Sequence, residues 1–142
     1  MFATAAIRKA PSAFTNAYRQ VGIQTSVEGA SAHQLVLMLF DGFQDSVAQA
    51  RGAIASGQIE AKGRAIGRAV RIVEEGLKAG LNLEAGGALA TDLNALYAYI
   101  AVRLTVANLS NDVAVLEECS RLLAPVRSAW VAIGAQAGSI QQ

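Results

Sequence analysis

From Ser31 onward, apolar residues return at steps of three and four, the spacing of one helix face. Leu35, Leu39, Phe43, Val47, Ala50 and Ile54 form the first row. Ser31 and Gln34 match a capping box, in which a hydroxyl and a side-chain amide satisfy early backbone amides, so the helix is predicted to start there. "SGQ" at 56–58 ends it, with Gly57 available for a left-handed turn. A second helix is predicted from Ile59 to Leu81, with Ile59, Ile66, Val70, Val73, Leu77 and Leu81 as its buried stripe. Lys62, Arg64, Arg68 and Arg71 lie mostly off that stripe, and Glu74 and Lys78 have the favourable i,i+4 order. Gly63, Gly67, Gly76 and Gly80 either cost about 1 kcal/mol each against alanine or permit close approach of a neighbour.

"NLEAGG" at 82–87 reads as a loop. The third helix then runs to about Leu109, with Leu89, Leu93, Leu96, Ile100, Leu104 and Ala107 on its core face. Asp112 is the expected N-cap of a fourth helix reaching about Ile133, with Leu116, Leu123, Val126, Trp130 and Ile133 inward. Pro125 removes a backbone donor there and is expected to kink the helix near Arg121. Residues 1–30 form an N-terminal arm with Pro11, Gly22 and Gly29, which admits a short helix from Ser12 to Gln20. Residues 136–142 read as a flexible tail. Short loops make neighbouring helices antiparallel, so residues 31–135 are expected to fold as an all-α, up-down-up-down four-helix bundle.

Leu35 to Phe40 are six apolar residues in succession, more than one buried face needs. On a helical wheel with Leu35 at zero, Leu37 falls at about 200° and Met38 at about 300°, away from a core stripe centred near 60°. Phe40 stands at the stripe's edge. The third helix repeats the pattern: Ala95, Tyr99, Val102 and Val106 share a second side, and Tyr97 sits at the edge of the core stripe. Several large apolar residues left exposed together mark a binding site or are covered by other parts of the chain. The arm or a crowded bundle centre could cover them, and a partner helix lying in a groove could do the same.

Composition narrows the chemistry. The 142 residues fit one domain, and 53% hydrophobic content rich in alanine suits helices. A net charge of +1 gives no global attraction to nucleic acid or to an anionic membrane. No apolar run approaches the roughly 20 residues that span a bilayer, and Arg8 and Lys9 follow the first apolar residues, the reverse of a signal peptide. Cys119 is the only cysteine, which fits a reducing compartment and a cytoplasmic location, and is expected inside a helix core. His33 is the only histidine, so a dinuclear carboxylate bundle lacks its ligands, and no cofactor or metal is expected. A histidine phosphotransfer domain is also a four-helix bundle. His33, however, lies in a first turn and is expected to be solvated, without the Lys-Gly typical after such a histidine.

Three stretches resemble the FliS family, the flagellin-specific chaperones of bacterial flagellar export. They are "AYRQVGIQTSVEGASAHQLVLMLFDG", "LNLEAGGALATDLNALYAYIAVRLTVAN" and "LLAPVRSAW", in order and covering about residues 17–133. Ala32 stands where that family usually has proline, Phe40 replaces a common tyrosine, and Pro125 is unusual in the last helix. The resemblance implies a non-enzymatic cytoplasmic chaperone that binds the C-terminal segment of flagellin, keeps it unpolymerised and aids its delivery to the type III export apparatus. Export-gate components are further partners on this view, and the chain is expected as a monomer or weak dimer. On this reading the surplus apolar faces supply the partner contacts, Leu37, Met38, Phe40, Tyr97, Tyr99, Val102 and Val106, with Asp41 and Arg103 either as polar rim or on a solvated face. Tyr18 matches the family's N-terminal tyrosine, in an arm thought to cover the binding surface when no client is present. Trp130 is expected in the core. A helical interaction bundle for another client remains the alternative, with the His33 phosphotransfer domain behind it.

Overall fold

The computed structural model describes the backbone of residues 31–141 and the side chains of residues 31–134. The arm, its short helix and Tyr18 lie outside the described residues. Four helices follow in order: α1 (Ala32–Ala55), α2 (Ile59–Arg71), α3 (Leu83–Ser110) and α4 (Val113–Gln141). Each packs on the next in sequence and α4 closes back on α1, which makes the expected all-α four-helix bundle.

The helix boundaries follow their predicted caps. The Gln34 amide donates to Ser31 Oγ at 3.1 Å, and the Ser31 amide donates to Gln34 Oε1 at 3.1 Å. At the other end of α1, Gly57 takes a φ of +71°. Its amide donates to the Ile54 carbonyl at 3.2 Å and the Gln58 amide to that of Ala53 at 2.8 Å, satisfying two carbonyls that have no partner within the helix. Asp112 accepts from the Val115 amide at 3.3 Å. Asn82 caps the next turn through the Ala85 amide at 3.0 Å, but Gly87 (φ +55°, ψ −136°) interrupts the helix. The expected loop is therefore one helical turn and a break, and the long part of α3 begins after Gly87.

Several expectations need correction. α2 winds into a π-helix over Ile72–Lys78. A π-helix brings residues five apart into register, and Glu74 and Lys78 form no ion pair. Within it, a Cβ on Gly76 would lie 3.0 Å from Leu39 Cδ1, so glycine permits α1 to approach there. Gly63 and Gly67 face open space instead. Ile59, assigned to the buried stripe, opens α2 and is 72% exposed. α4 does not end near Ile133 but continues, with Pro125 inside it, to Gln141. Pro125 is exposed, so the Arg121 carbonyl that lacks its donor can turn to water.

Two polar side chains tie distant elements. Lys62 is buried, and its Nζ donates to the Asn108 carbonyl at 2.8 Å and to Asn111 Oδ1 at 2.5 Å. A cation is thus placed at the carbonyl end of α3, where the helix dipole favours it. His33 is not solvated: its ring stacks on Trp130, with centroids 4.8 Å apart and planes 13° apart. Trp130 itself is buried in the core, as expected. Cys119 is buried between α3 and α4 with its Sγ 3.9 Å from the Ile100 carbonyl, and burial pushes its thiol up to about 11.

Candidate interaction surface

α3 is apolar around most of its circumference, and only part of it can be buried. Ala90, Leu93, Tyr97, Ile100, Leu104 and Ala107 face the core. On the outer side, Ala95, Tyr99, Val102, Val106 and Leu109 follow at steps of four, three, four and three, so they share one line along the helix. Tyr99 is 45% exposed, Val102 62% and Leu109 83%, and Val106 is half-buried among them. Leu109 was missed because the third helix was expected to end there. Extending the same step one more place finds it.

A polar clasp borders this row. Tyr99 Oη donates to Glu118 Oε2 at 2.6 Å, and Arg103 Nε donates to Glu118 Oε1 at 3.0 Å. Glu118 belongs to α4, so the clasp spans the α3/α4 seam. The bond from Tyr99, then that from Arg103, holds the Glu118 carboxyl below the usual carboxylate range. The same contact raises the Tyr99 phenol and the Arg103 guanidinium above their ordinary values. Glu118 carried no signal in the sequence, since its role depends on which helix α4 lies against.

Two expected contact residues belong to the core instead. Phe40 and Tyr97 are each 1% exposed. Both stand at the edge of a predicted stripe, and a bundle helix wedged between two neighbours buries a wide arc that takes in such edges. Burial also raises the Tyr97 phenol far above its ordinary value. Leu37 and Met38 are half-buried and pack against the core. Leu37 shares a row with His33, Asp41, Gln44 and Arg51, all of which bond to α4. Part of the surplus on α1 is therefore absorbed in the α1/α4 seam. Asp41 is exposed and accepts from Arg127 Nε of α4 at 2.8 Å, on the α1/α4 side of the bundle. Of the predicted residues, Tyr99, Val102, Arg103 and Val106 come together on one surface, and Phe40, Tyr97, Asp41 and Leu37 do not join them.

No described helix is long and apolar enough to cross a membrane. Among the described residues, no group of three or more His, Cys, Asp or Glu side chains could hold a metal ion.

The model of the family described as "Flagellar protein FliS" matches residues 14–137. The chain belongs to the FliS family. The FliS relatives below match over 78–90% of their own length. The "Flagellar secretion chaperone FliS" of Salmonella typhimurium is 45% identical over 121 residues, 85% of this chain and 90% of the relative. "Flagellar secretion chaperone FliSB" of Pseudomonas aeruginosa is 45% identical over 113 residues, 80% of this chain and 89% of its own. The Bacillus subtilis FliS is 32% identical, over 75% of this chain and 78% of its own.

Proposed function

We propose that the chain is a cytoplasmic, non-enzymatic export chaperone. It binds the C-terminal segment of flagellin, holds it unpolymerised and aids its delivery to the flagellar type III export apparatus. The observation that carries this reading is the exposed row Tyr99, Val102, Val106 and Leu109 on α3. Its spacing suits an amphipathic client helix laid alongside.

The energetics set a condition on the client. Ordering a residue of flexible chain costs roughly 1–2 kcal/mol of backbone entropy. Burying one large apolar side chain returns roughly 1.5–3 kcal/mol. Three or four such residues on α3 therefore cannot order a long segment alone. The client must bury its own apolar face and close its own helical hydrogen bonds on this surface. Met38, half-buried on α1, offers further apolar area on the bundle, and the arm containing Tyr18 would compete for such surfaces when no client is bound.

His33 is a poor phosphate acceptor, because its Nε2 is bonded to the Trp130 carbonyl at 2.8 Å. Size-exclusion chromatography with flagellin tests the main reading. Co-elution with full-length flagellin, lost when flagellin's last few tens of residues are removed, is the expected result. Absence of co-elution overturns it, and co-elution that survives the truncation moves the contact elsewhere on flagellin.

A further inference from the structure

Opposite the α3/α4 seam, a groove of about 460 Å3 runs between the C-terminal half of α1 and the start of α2. Gly52 and Ala53 of α1 and Ala61 and Ala65 of α2 line it with little side-chain bulk. Arg64 and Arg68 stand along it, and Gln49 and Gln58 add carboxamides; none of its lining residues is acidic. A backbone laid into the groove could come close to both helices. Gly52 has nothing within 4 Å of where a Cβ would sit, so no internal contact requires a glycine inside α1. Glycine in a helix interior is unfavourable, and here the fold shows no return for it.

The charges are also unmatched. The ion pairs among the described residues use Arg51, Arg103 and Arg127. Arg64, Arg68 and Arg71 have no carboxylate partner there. Arg64 and Arg68 are four residues apart, about 6 Å along the helix. A guanidinium presents a fixed fork that fits a carboxylate.

We propose that the α1/α2 groove docks a short acidic segment of a partner protein, with two carboxylates about one helical turn apart pairing with Arg64 and Arg68. The chain's own arm is a poor occupant, because it carries Arg8, Lys9 and Arg19 against a single acid, Glu28. A nucleic acid is also disfavoured: the overall charge is only +1, and a polyanion draws its affinity from many phosphate contacts. The groove lies across the bundle from the α3 row, so its occupant and the client could be held together.

The test uses a fluorescently labelled, alanine-based helical peptide with two glutamates four residues apart, and its glutamine counterpart. Anisotropy titration at low salt is expected to show saturable binding of the glutamate peptide only. The double variant R64Q/R68Q should weaken it about tenfold, and added salt should weaken it further. Gly52→Leu should fill the groove and abolish binding while circular dichroism stays helical. If Gly52→Leu disturbs the fold, the arginine variant decides alone. No binding, equal binding of the glutamine peptide, or binding unchanged in R64Q/R68Q overturns the proposal. So does preferential uptake of single-stranded RNA, or concentration-dependent self-association that R64Q/R68Q removes.

Discussion

Trp130 and His33 hold each other in both directions. The indole Nε1 donates to the His33 carbonyl at 3.0 Å, while His33 Nε2 lies 2.8 Å from the Trp130 carbonyl. A carbonyl can only accept, so the His33 proton sits on Nε2. The pair fastens the first turn of α1 to the second half of α4. A Cβ on Gly134 would meet the imidazole at less than contact distance, so glycine leaves the space that the ring fills.

His33→Ala should lower stability by about 1–2 kcal/mol, from a lost hydrogen bond and a lost ring contact. Urea unfolding followed by the emission of Trp130, the only tryptophan, measures it. Gly134→Ala should loosen the same joint.

The outer row and the core edge should separate cleanly. Val102→Asp and Leu109→Asp are expected to leave thermal unfolding almost unchanged and to abolish co-elution with flagellin. Phe40→Ala should cost about 3–5 kcal/mol, because it empties a filled core position. Loss of helix signal in Val102→Asp would place Val102 in the core instead.

Lys62→Met keeps most of the aliphatic stem but removes the amine. The Asn108 carbonyl and Asn111 then lose their shared donor, at a cost of about 1–3 kcal/mol. Thermal melts of the two proteins at one pH give the difference.

Glycines in α2 should respond in opposite directions. Gly63→Ala and Gly67→Ala meet no neighbour and should each stabilise by up to about 1 kcal/mol. Gly76→Ala presses on Leu39 and should destabilise unless Leu39 gives way. Denaturant midpoints of the three variants settle the signs.

Glu118 makes a pH prediction. Its folded pKa is depressed, so the clasp contributes stability above the ordinary carboxylate value of 4.5. That contribution is lost as pH falls through the lower, folded value. Wild type should therefore exceed Glu118→Gln in stability at neutral pH, and the gap should close below pH 4.5.

Local chemistry was legible in the sequence where it needed only neighbours in the chain. Ser31 with Gln34, Gly57 and Asp112 cap helices through residues at most a few places away. The outer row on α3 was legible for the same reason, since helical period alone separates Val102 from Ile100. Phe40 and Tyr97 were misplaced because the width of a buried arc depends on how two neighbouring helices close around it. The Lys62–Asn108 bond, the His33–Trp130 pair and the π-turn against Leu39 join elements far apart in sequence. No spacing rule along one chain reaches them.

Cys119 has a practical consequence. The chain's only thiol lies beneath the α3/α4 seam and remains almost entirely protonated near neutral pH. It therefore gives maleimides and disulfide reagents almost nothing to attack. A cysteine introduced at Val102 would be the sole reactive handle, and its rate of alkylation would report in real time whether the α3 face is covered.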